Sequence, residues 1–293
     1  MATQITREEL LPVLPARPST GHKGTFGHVL ILAGSQGFTG AAKLAAEAAG
    51  RSGVGLVTVG VPGTLADCVA ASLLEAMSLS LPDTLQESFS TAAVAQALDA
   101  TQTRDAVVLG PGISQHADTR RFVHDFVAGC TVPLVLDADG LNCIGPAPGA
   151  VALAKAPVIL TPHPGEMARL LNCSVEQVQR DREAAARLLA SVCGGVTILK
   201  GSGTVVADAS GACWINPTGN SGLAKGGTGD VLAGILGGLL AQGMDACAAS
   251  RLAVYLHGLA GDFAARERTE RGMIARDVIA ALPAAWRELE RTR

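Results

Sequence analysis

Apolar positions along the chain fall into two alternating rhythms. Short runs rich in Val, Ile and Leu occupy His28–Ala33, Leu56–Val61, Ala76–Leu81, Ala106–Leu109, Pro133–Asp137 and Val158–Leu160. Between them lie alanine-rich stretches whose apolar residues recur at helical spacing: Ala41–Arg51, Leu65–Ser72, Thr91–Leu98, Thr119–Val127 and Val175–Val192. Strands that are apolar on both faces must be covered on both, so this alternation predicts a parallel sheet between two layers of helices. After Val196–Leu199 the rhythm changes. Thr204–Ala207, a turn at Ala209-Ser210-Gly211 and then Cys213–Ile215 predict an antiparallel hairpin on one side of the sheet. The remainder reads as helix over Asp230–Ala241, Ala246–Arg266 and Ile274–Leu289, with Pro283 expected to kink or split the last. No repeat, low-complexity block or linker breaks the pattern. Residues 1–293 are therefore expected to form one domain, with a helical lead-in over 1–20.

Composition narrows the function. Hydrophobic residues make up 48% of the chain, yet the longest tempting apolar run, Val231–Ala241, has 11 residues. A membrane span needs about 20. The N-terminus has no basic start followed by an apolar stretch, so no signal peptide is expected and the protein is placed in the cytoplasm. A net charge of −3 without a Lys/Arg cluster argues against a nucleic-acid partner and leaves small molecules. Seven cysteines without a Cys-x-x-Cys, and histidines without a His-x-x-x-His, fit reduced thiols and argue against a transition-metal site. Glycine is abundant, 35 residues, against 3% aromatics. Many of these glycines follow predicted strands, at 34/37/40, 110/112, 165, 201/203 and 219/222/226/227/229, which is where open α/β sheets bind ligands.

Four stretches could carry chemistry. Asn216–Asp230 ends in Lys225-Gly-Gly-Thr-Gly-Asp230 and runs straight into an apolar helix. Gly226, Gly227 and Gly229 free backbone N–H groups to converge on an anion at a helix N-terminus, the environment a phosphoryl group in transfer requires. Asp230 beside that nest can take the proton from an attacking hydroxyl. A plain N-cap and turn is the alternative, opposed by Gly234, Gly237 and Gly238, whose helical cost implies close packing near a site. Leu160-Thr-Pro-His-Pro-Gly-Glu-Met167 presents His163 and Glu166 at a strand end; Glu166 can hold Mg²⁺ through water, or Thr161 and Glu166 can be ordinary helix-start residues. Leu199-Lys-Gly-Ser-Gly-Thr204 is either a nucleotide-approaching loop or a hairpin turn with a solvated lysine. Gly21–Gly27 and Gly34–Ala42 flank the first long strand but lack the Gly-x-Gly-x-x-Gly dinucleotide spacing. Gly110-Pro-Gly112 offers a further edge, and Asp137-Ala-Asp139 is catalytic or a strand-end turn.

Together these residues resemble the ribokinase-like superfamily, whose Gly-x-Gly-Asp matches Gly227-Thr-Gly-Asp230. More narrowly, the chain resembles the NAD(P)H-hydrate dehydratase family, nucleoside-diphosphate-dependent in bacteria. His22-Lys-Gly-Thr-Phe-Gly27, Thr161-Pro-His-Pro-Gly-Glu166, Leu199-Lys-Gly-Ser-Gly-Thr204 and Asn216-Pro-Thr-Gly-Asn…Lys225-Gly-Gly-Thr-Gly-Asp230 carry the likeness, in order. His163 stands where related vitamin kinases have Asn, a departure typical of the dehydratase branch. The resemblance implies a three-layer α/β/α sandwich with a mostly parallel central sheet and an antiparallel hairpin in its C-terminal half. It implies dehydration of the S-epimer of NADHX or NADPHX to NAD(P)H, coupled to conversion of ADP to AMP and phosphate, with Mg²⁺ and with ADP preferred over ATP. Carried over position by position, Ala42, Gly112, His163 and Asp230 line the hydrate, with Ala41 adjacent to Ala42 and chemically identical. Lys200, Gly201, Ser202, Gly203, Thr204 and Gly229 contact AMP, Glu166 serves Mg²⁺ through water, and Asp230 is the base, with Gly227 and Gly229 in the catalytic nest. A homotetramer is implied. So is a separate epimerase, because only about 20 residues precede the first motif, too few for the epimerase domain many relatives carry. The rival readings are a thiazole or pyrimidine alcohol kinase of the same fold, and a nucleotide-binding sensor without catalysis.

Overall fold

A computed structural model describes residues 2–291. Its strands are β1 (Thr3–Gln4), β2 (His28–Leu32), β3 (Leu56–Pro62), β4 (Met77–Leu81), β5 (Ala106–Leu109), β6 (Leu134–Leu136), β7 (Val158–Leu160), β8 (Val196–Leu199), β9 (Val205–Ala207) and β10 (Cys213–Ile215). They form one sheet in the order β1-β10-β9-β8-β7-β6-β5-β2-β3-β4. From β4 across to β8 every pairing is parallel; β8–β9 and β9–β10 are antiparallel. The expected hairpin is thus present, and the turn between β8 and β9 makes a second one. Residues 1–20 hold β1, which pairs parallel with β10 (Thr3 opposite Trp214), before the single helical turn α1 (Arg7–Leu10) and a 3-10 turn at Leu11–Val13.

The two-residue period of the strands splits the core in two. Val29, Ile31, Val59, Val108, Val135, Ile159 and Ile198 lie in one cluster with residues of α2 (Thr39–Arg51), α10 (Thr228–Ala241), α11 (Ala246–Gly272) and α12 (Ala275–Glu290). Leu30, Leu32, Val107, Leu109, Leu136, Leu160 and Leu199 lie in the other, with α4 (Ala93–Thr101), α5 (Ala117–Gly129), α6 (Asp139–Ile144), α7 (Pro164–Leu170), α8 (Val175–Arg180) and α9 (Arg182–Cys193). The short α3 (Ala66–Ala70) follows β3. The result is the expected three-layer sandwich. The chain leaves β2 for β3 and β4 on one side, then returns to β5 on the other, so the switch point of the sheet lies between β2 and β5.

Two helical expectations change. The stretch expected as one helix over Val175–Val192 is two, because Asp181 leaves helical geometry (φ −146°, ψ 83°) and its carboxylate caps Ala184 N–H at 2.9 Å. Pro283 does not split its helix into two: α12 runs through it from Ala275 to Glu290. Gly234, Gly237 and Gly238 give α10 the close packing expected of them. A Cβ at Gly234 would fall 2.2 Å from the Ala45 carbonyl oxygen, at Gly237 2.3 Å from Val108 Cγ2, and at Gly238 1.9 Å from Ser52 Oγ. These contacts let α10 lie against α2 and the sheet with almost no side-chain spacer, which aims its N-terminus at the carboxyl ends of β6 to β8.

Candidate active site

Three strand ends and one helix start converge. Asp137 follows β6 and is 1% exposed. Its position is forced by tight backbone: a Cβ at Gly110 (φ +132°) would overlap the Asp137 carbonyl at 1.9 Å, and Ala138 is held at φ 48°, a region non-glycine residues avoid. Asp137 Oδ1 accepts from Thr161 Oγ at 2.6 Å and from Lys200 Nζ at 2.7 Å, while its buried Oδ2 has no partner. Lys200, at the end of β8, also lies 3.9 Å from Glu166 Oε2. Burial opposes its charge, but Asp137, Glu166 and Asp230 outweigh that and raise its pKa. The loop 200–204 is indeed a hairpin turn, yet its lysine is an anchored cation, not a solvated one.

The stretch after β7 folds as a capping box on α7. His163 Nδ1 accepts from Gly165 N–H at 2.9 Å, and Glu166 Oε2 accepts from His163 N–H at 2.7 Å. Glu166 therefore starts a helix as expected, and it also brings a carboxylate beside Lys200. Burial first, then Asp137, push its pKa up to about 7 against the pull of Lys200. Burial and the nearby Lys200 lower that of His163.

Asp230 is not the N-cap of α10. That position belongs to Gly227 (φ 92°), whose Cβ would strike Leu44 Cδ1 at 2.7 Å, and no side chain caps the helix there. Thr228 Oγ donates back to the Leu223 and Lys225 carbonyls, and Lys225 Nζ holds the Arg271 and Met273 carbonyls, so the turn is anchored while its first-turn N–H groups stay unclaimed by a cap. Asp230, in that first turn, carries a carboxyl pushed up to about 7 by burial and by Asp137 and Asp139, against Lys200. A Cβ at Gly229 would lie 3.5 Å from Lys200 Nζ, which joins the helix start to the strand-end cluster. His257, on α11, is kept neutral by burial, its pKa falling to about 4 despite a hydrogen bond with the Thr228 backbone.

The loop over Gly201, Ser202, Gly203 and Thr204 lies open beside this cluster, with Gly201 at φ +140°, Gly203 at φ +62° and Thr204 Oγ bonded to the Gly201 carbonyl. At the switch point, Gly34 N–H donates to the Pro111 carbonyl and Ser35 Oγ to the Gly112 carbonyl, both at 2.8 Å. A Cβ at Gly112 would meet Phe38 Cβ at 2.8 Å and Ala41 Cβ at 3.1 Å. Ala42 is fully buried behind Gly34, so the half-exposed Ala41 is the residue presented beside Gly112. Asp139 turns to the Ser114 N–H and Gln115 side chain. The His22–Gly27 stretch precedes β2 and lies at the opposite edge of the sheet, where Gly27 packs on the Ala241 carbonyl at the end of α10.

Among the described residues no group of three His, Cys, Asp or Glu side chains can enclose a metal. The unpartnered Asp137 Oδ2 and Glu166 do fit a magnesium ion that keeps its waters and is carried by phosphates. Sequence reasoning singled out Lys200, Glu166 and Asp230 but left Asp137 open and missed Thr161 as its partner. The signal for Asp137 was its place at a strand end.

The profile described as NAD(P)H-hydrate dehydratase matches residues 29–284. The chain belongs to that family. The ADP-dependent (S)-NAD(P)H-hydrate dehydratase of Bacillus subtilis is 37% identical over 286 residues, 97% of this chain and 98% of that one. The bifunctional NAD(P)H-hydrate repair enzyme of Moorella thermoacetica is 43% identical over 277 residues, 94% of this chain but 52% of its own length. The chain thus spans about half the length of such bifunctional relatives. A crystal structure of the B. subtilis ADP/ATP-dependent enzyme, co-crystallised with ATP and Mg²⁺, is 35% identical with a TM-score of 0.84 over 99% of both chains. The fold is ribokinase-like: a ribokinase-like superfamily protein of Enterococcus faecalis, 27% identical, superposes with a TM-score of 0.82. A hydroxyethylthiazole kinase of Pyrococcus horikoshii, 14% identical with a TM-score of 0.55, shares the fold alone, which leaves the kinase reading distant. The dehydratase family membership and the geometry of Asp230 together bear on what the site does.

Proposed function

We propose that this protein dehydrates the S-epimer of NADHX or NADPHX to NAD(P)H, with ADP as phosphoryl donor. The observation that carries the reading is Asp230: a carboxyl titrating at about 7, in the first turn of a helix whose N–H groups have no side-chain cap. A base poised near neutral pH beside an anion-binding helix start suits proton removal coupled to phosphoryl transfer. Asp230 takes the proton of the C6 hydroxyl as that oxygen attacks the β-phosphorus of ADP, and AMP leaves. The N–H groups at Gly227–Asp230 and the Lys200 ammonium hold the equatorial oxygens. The ring nitrogen lone pair then expels phosphate from C6, and loss of a proton from C5 restores the dihydropyridine. Glu166 and Asp137 would hold Mg²⁺ through water, and the ion supplies charge neutralisation on the phosphates.

In this reading Lys200, Gly201, Ser202, Gly203, Thr204 and Gly229 receive AMP, while Gly112 and His163 line the hydrate with Ala41, and Ala42 backs that wall. Residues 1–293 act as one domain in the cytoplasm, as a homotetramer, on S-epimer supplied by an epimerase activity linked to it. Exposed Leu74, Met77 and Leu85 near the open edge of β4 support self-association; light scattering after size exclusion checks it. The functional test mixes purified protein with NADHX, Mg²⁺ and either ADP or ATP and follows reduced-nicotinamide absorbance. Recovery with ADP is expected. No recovery with either nucleotide overturns the reading.

A further inference from the structure

One cation sits at the break between α8 and α9, against the loop 200–204. Arg182 is the first residue of α9, directly after the Asp181 cap. Its Nη2 donates to the Leu199 carbonyl at 3.0 Å, the Lys200 carbonyl at 3.3 Å and the Gly203 carbonyl at 3.5 Å, and its Nη1 donates to Gln179 Oε1 at 3.0 Å on α8. A Cβ at Gly201 would sit 3.1 Å from both Nη1 and Nη2, so the guanidinium lies against the loop where the absence of a side chain lets it approach. Its Nε is enclosed and unpartnered, and no carboxylate is paired with the charge among the described residues.

From these contacts we infer that Arg182 is a positioning residue of the nucleotide site: one nitrogen of its guanidinium draws the carbonyls of Leu199, Lys200 and Gly203 to one side. The Lys200 N–H is itself held by the Pro162 carbonyl at 2.8 Å, whereas tying back the Lys200 and Gly203 carbonyls turns the Gly201 and Thr204 N–H groups the other way, toward a phosphate. The uncancelled positive charge behind the loop favours the same anion. A lysine at this position keeps the charge but, with a single nitrogen, cannot hold the three carbonyls and Gln179 Oε1 together. The inference rests on the reading that loop 200–204 receives a nucleoside diphosphate, and its test separates the two.

Titration calorimetry with ADP is run on the wild-type chain, Arg182→Leu and Arg182→Lys, with steady-state KM for ADP and for the hydrate and hydrogen exchange at the loop amides. Losing a charged donor shared by three acceptors is expected to raise the ADP Kd about 10- to 100-fold in Arg182→Leu. Arg182→Lys should recover only part of that, with the KM for the hydrate and kcat at saturating ADP changed far less, and with loop amides exchanging faster. An ADP Kd equal to wild type in either folded variant overturns the inference, as does a parallel rise of both KM values, which marks a merely structural residue. If Arg182→Leu does not fold, Arg182→Lys decides by the same criteria. Wild-type protein that binds no ADP defeats the nucleotide reading itself, whereas wild-type binding with unchanged variants defeats the role of Arg182 alone.

Discussion

Two turns in this molecule are built alike and sit at opposite edges of the sheet. In His22-Lys23-Gly24-Thr25, the His22 ring nitrogen accepts from Gly24 N–H and Thr25 Oγ accepts from His22 N–H. In His163-Pro164-Gly165-Glu166, the ring nitrogen accepts from Gly165 N–H and the Glu166 carboxylate closes the box. Locally the two do the same work of starting a short helix. They differ in the fourth residue and in what surrounds it. Thr25 is exposed on a surface turn before β2. Glu166 is 4% exposed beside Lys200 and Asp137, where burial drives its pKa to about 7. The same His-x-Gly-x turn is a solvated surface turn at the amino edge and part of a buried charged cluster at the carboxyl edge, so the side of the sheet, not the motif, sets the chemistry around it.

The strongest way to break that contrast is at the helix start that shares Lys200 with Glu166. Asp230→Asn should lower turnover about 10²- to 10⁴-fold, the usual worth of a positioned base. ADP affinity by calorimetry should stay close to wild type. Turnover within a factor of a few of wild type would remove Asp230 from the base role.

Next comes the paired comparison of the two turns. Gln also closes a capping box, so Glu166→Gln should keep the melting temperature near wild type while lowering turnover about 10- to 100-fold, the scale seen when a group behind a metal's own ligands is changed. Thr25→Val should do the reverse. Losing one cap bond there costs about 0.5–1.5 kcal/mol in denaturant unfolding and leaves kcat unchanged. If both variants move turnover, or neither does, the two edges are not functionally distinct.

The carboxyl groups also predict opposite pH trends for activity and stability. Asp230 and Glu166 are both raised to about 7 in the folded state. Between the ordinary carboxylate range and about 7, the folded chain holds protons that the unfolded chain has released. Stability therefore falls as pH rises through that window, and the loss is complete above it. Activity that needs ionised Asp230 should rise over the same interval, with kcat/KM bending near 7. Asp230→Asn should be the more stable protein at pH 8, by about 1–2 kcal/mol, with the gap closing toward pH 5. A gap that widens on acidification would contradict the burial of that carboxyl. The smallest effect expected is at His22: His22→Ala should cost about 1 kcal/mol of stability and nothing in turnover.

Much of this was legible in the chain because period and position carry it. Leu30 and Ile31 alternate between the two core clusters as a parallel strand demands, and the same alternation in β5 and β6 announced the sheet. Lys200, Glu166 and Asp230 stood out because charged residues beside glycines at strand ends have few structural reasons to be there. What stayed hidden depends on contacts across sequence. Asp137 meets Lys200 63 residues away, which no spacing rule reports. The break at Asp181 was masked because the apolar spacing of Val178, Ala185, Ala186 and Leu189 continues across it, all four packing into one cluster. Ala41 and Ala42 differ only in which way a helix turns them. The glycines of α10 illustrate both cases: Gly227 is at a helix start with positive φ, whereas Gly234, Gly237 and Gly238 are explained only once α2 is in view.

The central claim is that phosphorus is transferred to the hydroxyl of the hydrate before that oxygen departs. Hydrate carrying a heavy oxygen isotope at C6 tests it directly when turned over with ADP in ordinary water. The account predicts that the label is recovered in inorganic phosphate, one labelled phosphate for each reduced nicotinamide formed. Label recovered in water, with phosphate unlabelled, would contradict it.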